Sequence, residues 1–176
     1  ADISANAFGS AMIIGQKILQ NSPTKSHLLK GMREISLKFS FCPSNYSKYR
    51  PALLGNNFAG NLIKDYNGQT YWLSCNIYSF LKTESKFPKF LNIAFGYGAD
   101  GMTGGNFNPL YSDEQGTQII FQRRRQYYLS LDIDMTKIKT HSKIIKFFAE
   151  TFCFIKIPAP AIEFGKQKMK LYGFFY

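Results

Sequence analysis

Tyr127-Tyr128-Leu129-Ser130-Leu131-Asp132-Ile133-Asp134-Met135 decides the fold class of this chain. Apolar or aromatic residues fill the odd positions, while Tyr128, Ser130, Asp132 and Asp134 fill the even ones. A period of two sends successive side chains to opposite faces of a strand. A helix would scatter the same residues around its circumference. The spacing predicts one long strand over 118–135, with an apolar face and a face carrying two carboxylates.

The same alternation recurs outward from this segment. Leu91, Ile93, Phe95 and Tyr97 oppose Asn92, Ala94, Gly96 and Gly98; Tyr71, Leu73, Cys75 and Ile77 oppose Trp72, Ser74, Asn76 and Tyr78. Ile35, Leu37, Phe39 and Phe41 oppose Ser36, Lys38, Ser40 and Cys42. In the 91–98 segment, large apolar residues on one side and small or polar ones on the other suit a wall with lipid outside and a crowded lumen inside. Two further strand patterns, 153–164 and 168–176, flank Gly165. Pro158 and Pro160 mark the first of them as an edge or a break, because a central strand needs the missing N–H.

A chain end is normally polar and frayed. This one closes on Leu171-Tyr172-Gly173-Phe174-Phe175-Tyr176, with four aromatics in the last five positions. Bacterial outer-membrane barrels carry aromatics at the bilayer interface. About six strands are legible, too few for an eight-stranded membrane barrel. Either 43–68 and 99–117 hide two more, or the sheet is open and completed by a partner.

Helical patterns are fewer. Residues 2–20 read as a helix, with Ala1, Ala5 and Gly9 on one small-residue stripe and Ala7, Ala11 and Gly15 on another. Asp2, Asn6 and Ser10 form a polar stripe; Asp2, Asn6 and Gly9 are therefore expected to pack against a neighbouring helix. Asn21-Ser22-Pro23 ends this helix, and Ser22 with Pro23 caps a short one through Leu29. Ser142 is expected to cap an amphipathic helix through Phe152, with Ile144, Ile145, Phe148 and Phe152 inward and Lys143, Lys146 and Glu150 outward. The expected fold is mainly β with an N-terminal helix: a small antiparallel β-barrel or strongly curved sheet, plus one or two short helices. Residues 1–30 form a helical segment, the end of an upstream helical region, and 31–176 a β-rich, barrel-like domain.

Composition narrows the partners. The 176 residues carry a net charge of +11, which favours acidic surfaces such as nucleic acid, lipid headgroups or an acidic protein. Nucleic acid is disfavoured, because the lysines are scattered and no recognition module is present. Cys42, Cys75 and Cys153 lie far apart without a CxxC pair, so they indicate no metal site. They read as small buried hydrophobes, or as one Cys42–Cys75 bridge and a free thiol. No apolar run approaches the ~20 residues of a membrane helix. The chain opens on Ala1 in what reads as mid-helix, as expected of the C-terminal part of a longer precursor.

Few residues suggest chemistry. Asp132 and Asp134 share a strand face ~7 Å apart and suit acid–base work or cation binding, or simply pair with Arg124 and Gln126 on that face. Arg123-Arg124-Arg125 reads as a solvated or ion-paired strand end, or offers a site for phosphate or lipopolysaccharide headgroups. His27 and His141 sit near element boundaries; His141 suits a Ser-His-Asp site with Asp132, but no nucleophile motif supports it. Gly96, Gly98 and Gly101 match a dinucleotide fingerprint formally, and the turn chemistry that follows rejects it. No cofactor is expected.

Asp2-Ile3-Ser4-Ala5-Asn6-Ala7-Phe8-Gly9 with Gly15-Gln16 resembles the helical signature of the YfiM-like outer-membrane lipoprotein family. Further matching pieces are Leu37–Phe41, Lys64–Ser74, Gly96–Met102, Tyr128–Asp134 and Ile157–Ala161, which resemble the β-rich extension of its longer members. The resemblance implies the bacterial outer membrane or its periplasmic face. It carries no established activity, and the family's upstream Asp-Lys-x-x-His element is absent; Asp2 and Asn6 are the local contributors. The expected function is a non-enzymatic accessory or structural subunit of a membrane complex, with outer-membrane lipid or lipopolysaccharide and other envelope proteins as partners. The alternatives are an outer-membrane lipid-modifying enzyme using Asp132, Asp134 or His141, and a lipocalin-like binder of an apolar ligand.

Overall fold

The computed structural model describes residues 34–81, 86–112, 116–165 and 169–176, with Ser10, Ala11, Ile14, Gly15, Ile18, Gly31 and Met32. Ser10, Ala11, Ile14, Gly15 and Ile18 have helical backbone, in keeping with the helix expected over 2–20. Asp2, Asn6, Gly9, the Ser22-Pro23 cap and His27 lie outside the described residues.

The alternating segments become strands: β1 (Ile35–Phe41), β2 (Gln69–Asn76), β3 (Leu91–Asp100), β4 (Tyr111–Ser112), β5 (Gln118–Ile119), β6 (Arg124–Ile133), β7 (Ala159–Phe164) and β8 (Met169–Phe175). Six of them form one antiparallel sheet in the order β1-β2-β3-β6-β7-β8. β4 and β5 make a separate two-residue pairing inside the β3–β6 connection. The chain therefore meanders, each long strand pairing with the next.

The sheet is strongly curved. A flat sheet would hold β1 and β6, three strand spacings apart, at ~14 Å. Yet Lys38 of β1 reaches Asp132 of β6 at 2.7 Å. Trp72 of β2 meets Phe175 of β8, four strands away, at 5.8 Å between ring centroids. β1 and β8 remain the two edges and do not pair with each other. The outer side of β1 is engaged at one point: Phe39 N donates to Phe154 O at 2.7 Å, and Lys156 N to Phe39 O at 2.9 Å.

Trp72, Ala94 and Tyr128 form the buried hydrophobic cluster on the concave side, with Tyr172 and Phe175 against it. Gly96 lies opposite both Trp72 and Tyr128 in the register. A Cβ there would sit 2.7 Å from the Trp72 ring, so glycine makes room for indole. This spatial demand accounts for Gly96 without any nucleotide.

Short helices fill the connections. α1 (Pro51–Leu54) and α2 (Phe58–Lys64) join β1 to β2, with Pro51 opening α1 and Asn57 capping α2 through Gly60 N at 2.7 Å. α3 (Lys143–Thr151) follows β6, capped by Ser142 as expected.

Four expectations need correction. The strand expected over 118–135 is two, β5 and β6, separated at 120–123. There Phe121 O accepts from Asn108 Nδ2, and the Arg123 guanidinium donates to Gly105 O and Asn106 O, so these residues serve the loop. Pro158 and Pro160 mark a break, since β7 starts only at Ala159, but not an edge, since β7 has strands on both sides; within it stands Pro160. It is tolerated because the β7–β8 register shifts between Ala159 and Ala161, a bulge, while its carbonyl accepts from Ser130 Oγ at 2.9 Å. The apolar face of α3 is exposed rather than inward, since only Ala149 of the helix is buried. The cysteines are all free: Cys42 and Cys153 are exposed, and Cys75 is half-buried.

Candidate functional site

The two faces of the sheet have opposite chemistry, and that contrast is the most informative functional feature. Because the strands are in register, each face resolves into rows running across them.

On the concave side the rows mix small, polar and charged residues with the buried rings of Trp72 and Tyr128. One row reads Ser36, Ser74, Ala94, Ser130, Ala161; the next reads Lys38, Trp72, Gly96, Tyr128, Glu163. Lys38, Ser74, Asn76, Asn92, Ser130, Asp132 and Glu163 are all buried. Asp132 is the hub. Its Oδ2 receives Lys38 Nζ at 2.7 Å and Ser74 Oγ at 2.6 Å. Asn92 Nδ2 donates to Ser74 Oγ at 2.9 Å, and Asn76 Nδ2 donates to Asn92 Oδ1 at 2.7 Å. Lys38 Nζ also donates to Ile133 O at 2.9 Å. Lys156, buried on the same side, holds its ammonium 4.5 Å from the centroid of the Trp72 ring. A second cluster joins Glu163 to Tyr172 Oη at 2.6 Å and to Gln126 Nε2 at 3.1 Å.

Burying an ion pair costs several kcal/mol of desolvation per ion, offset only when hydrogen bonds complete it. Here one carboxylate oxygen is doubly engaged, while Asp132 Oδ1 has no hydrogen-bond partner among the described residues.

The convex side is apolar. Phe39, Tyr71, Tyr97, Tyr127 and Phe164 stand side by side on five neighbouring strands. Two ring pairs within the row, Phe39–Tyr71 and Tyr97–Tyr127, lie at 5.6 Å. The adjacent row is Leu37, Leu73, Phe95, Leu129, Ile162 and Leu171, followed by Ile35, Cys75, Ile93 and Leu131. Tyr71, Phe95, Tyr97, Tyr127 and Leu131 are each about half exposed, although contiguous exposed apolar patches of this kind are rare on monomeric soluble proteins.

The residues singled out in the sequence fall in different places. Asp132 and Asp134 do not act as a pair. Asp132 closes off in the core, whereas Asp134 lies past the end of β6 and accepts from Thr136 N at 3.1 Å. The partner of Asp132 is Lys38, not Arg124 or Gln126. Arg124 instead pairs with Asp100 at 2.6 Å, Arg123 ties down the Gly105–Asn106 turn, and Arg125 is exposed. All three lie at the aromatic-row end of the sheet. His141 is exposed beside the α3 cap. Sequence reasoning missed Lys38; its one signal was a cation on the polar side of β1's alternation.

Above the aromatic row, Tyr46, Tyr49, Tyr111 and Phe121 form a ring cluster with centroids 4.8–5.8 Å apart. Burial, reinforced by a hydrogen bond to Asp100, pushes the Tyr46 hydroxyl up to about 12. That phenol is a fixed donor at neutral pH. A surface cavity of about 470 Å³ lies off the sheet, lined by Pro51, Ala52, Gly55, Asn56, Asn57, Gly60 and Lys64. No group of three or more metal-binding side chains occurs among the described residues.

No family model, curated protein or solved structure matches this chain.

Proposed function

We propose that this chain is a non-enzymatic structural or accessory subunit of the bacterial outer membrane, whose β-rich domain over 31–176 forms most of a small barrel wall with its convex face in lipid. The observation that carries the reading is the inverted sheet, with buried charges on the concave side and an aromatic row beside aliphatic rows on the convex side. Membrane barrels alternate apolar-out and polar-in, with aromatics at the interfaces. β3 and β6 have ten residues each, the length of a tilted membrane-spanning strand. The exposed end of β6 at Arg124-Arg125 then lies at headgroup level, with Tyr127 at the interface and Leu129, Leu131 and Ile133 in hydrocarbon.

The open edges extend the proposal to a complex. Strand edges facing lipid leave backbone groups unsatisfied, at several kcal/mol each. β8 carries exposed Met169, Leu171 and Phe174 and, among the described residues, pairs only on its β7 side, so a companion strand or subunit completes the wall. The YfiM-like resemblance points to the same compartment. A lipid-modifying role for Asp132 is disfavoured by its full burial against Lys38 and Ser74. A lipocalin-like role is disfavoured by the Trp72, Tyr128 and Phe175 rings that occupy the interior.

Fractionation tests the location: the protein should resist alkaline carbonate and need detergent for release, and recovery in a detergent-free soluble fraction would overturn the membrane reading. Mild-detergent purification tests the subunit role. A stoichiometric companion is expected, and isolation of the chain alone would count against it.

A further inference from the structure

We infer that the 152–158 connection is a latch over the outer edge of β1, looser while Lys156 is charged and tighter once it is neutral. This device goes beyond the membrane reading and does not depend on what surrounds the convex face.

The connection runs from α3 to β7 and pairs with β1 at one residue. Phe39 N donates to Phe154 O at 2.7 Å, and Lys156 N donates to Phe39 O at 2.9 Å, so Phe39 and Ile155 form an isolated parallel bridge. Parallel pairing would next engage Phe152 O on one side and the N–H of residue 158 on the other. Phe152 O already accepts from Ile155 N at 3.0 Å, and Pro158 has no N–H to give. The contact is thus confined to one residue of β1, whereas β3 and β6 pair over their full lengths. A segment held this way opens locally far more readily than a long ladder. Opening bares the Phe39 N–H and C=O on the outer side of β1, the groups that a companion strand pairs with.

Lys156 places charge beneath this contact. It is buried on the concave side, where its Nζ donates to Ile157 O at 3.1 Å and lies 4.5 Å from the centroid of the Trp72 ring. Asp132 of β6 attracts it and Lys38 of β1 repels it. The Trp72 ring of β2 does not titrate, and burial pushes the Tyr128 hydroxyl of β6 up, so it stays protonated. Glu163 of β7 turns instead to Tyr172 and Gln126. Asp132 is already matched by Lys38 at 2.7 Å, so the closed cluster holds two ammoniums against one carboxylate. The surplus cation is the one carried by the connection itself. Burying it is unfavourable, and the contact with the indole face offsets only part of that.

The sign of the pH response follows. Burial lowers the Lys156 ammonium from its ordinary 10.5 to about 8, against the pull of Asp132 and with the help of Lys38. When the latch opens, Lys156 reaches water and regains the higher value. Closing therefore releases a proton between the two values, and the closed form gains stability as pH rises through that window. Below it Lys156 is charged in both forms, and pH has little leverage.

Amide exchange of the full chain at pH 7 and pH 9, corrected for the intrinsic rate, reads the opening at Phe39 and Lys156. The opening constant at both amides should fall about tenfold from the lower pH to the higher, while the β3–β6 ladder keeps its protection. Lys156→Met removes the buried charge, so Phe39 should be better protected than in the wild type at pH 7 and indifferent to pH. Lys156→Arg keeps the charge throughout and should leave Phe39 weakly protected at both pH values.

A wild-type opening constant that is the same at both pH values overturns the latch. A pH response that survives in Lys156→Met also overturns it, because another group then titrates. An equal response at Phe39 and in the β3–β6 ladder marks global unfolding and overturns it too. Should Lys156→Arg fail to fold, the wild type and Lys156→Met still decide the matter. Exchange reads the same opening in detergent or in buffer, so the latch and the membrane reading stand or fall separately.

Discussion

The concave and convex faces of the sheet are built from the same strands and obey opposite rules. Inside, Lys38, Ser74, Asn76, Asn92 and Asp132 are buried and bonded to one another. Outside, Phe39, Tyr71, Tyr97, Tyr127 and Phe164 line up with little to cover them. In a sheet designed for water the hydrophobic effect would drive the second set inward. The difference teaches that the polar set is held chiefly by bonds among its own members, and it is the contrast on which the proposal of a lipid-facing convex side rests.

Breaking the inner face should have the largest effect. Asp132→Ala leaves Lys38 buried without its counter-charge, and a loss of about 3–5 kcal/mol is expected. Lys38→Met with Asp132→Leu should recover most of that loss, measured by urea unfolding in detergent. An equal loss in the single and double variants would mean that the pair is not the hub. On the outer face, Phe95→Arg should cost about 2–4 kcal/mol in a bilayer, as a cation near its midplane does. A half-exposed residue facing water would tolerate the same change within about 0.5 kcal/mol. Refolding titrations into lipid vesicles separate these outcomes.

Smaller effects sharpen the contrast. Gly96→Ala presses a methyl onto the Trp72 ring and should cost about 1–3 kcal/mol. Gly105→Ala meets nothing within 4 Å and should be near neutral, so thermal melts of the two variants report whether concave space is limiting. Ser142→Ala removes the α3 cap and should cost about 1 kcal/mol. Circular dichroism of that variant should show little change in the β signal, because α3 contributes nothing to the ladder.

How much of this was legible follows from the range of each interaction. The alternation at 127–133 and 91–97 needs only neighbouring residues, and β6 and β3 form there. Ser142 was legible as a cap for the same reason. The Lys38–Asp132 pair was hidden because it depends on curvature bringing β1 against β6. Asp134 was misplaced because a period of two does not reveal where a strand stops; its side chain caps the next turn instead. The exposure of Phe148 was also hidden. An amphipathic pattern defines a face without naming what covers it. The Arg triplet split among a loop tie at Arg123, an ion pair at Arg124 and an exposed Arg125 because each meets different connections.

Accessibility along β6 tests the contrast most directly. Nitroxide labels placed one at a time at Tyr127, Leu129, Ser130, Leu131 and Ile133, in protein reconstituted into vesicles, are compared for collision with oxygen and with a water-soluble nickel chelate. The account predicts that 127, 129, 131 and 133 favour oxygen, most strongly at 129 and 131, while Ser130 is shielded from both. Preference for the nickel chelate at 129 and 131 would place the convex face in water and contradict the account.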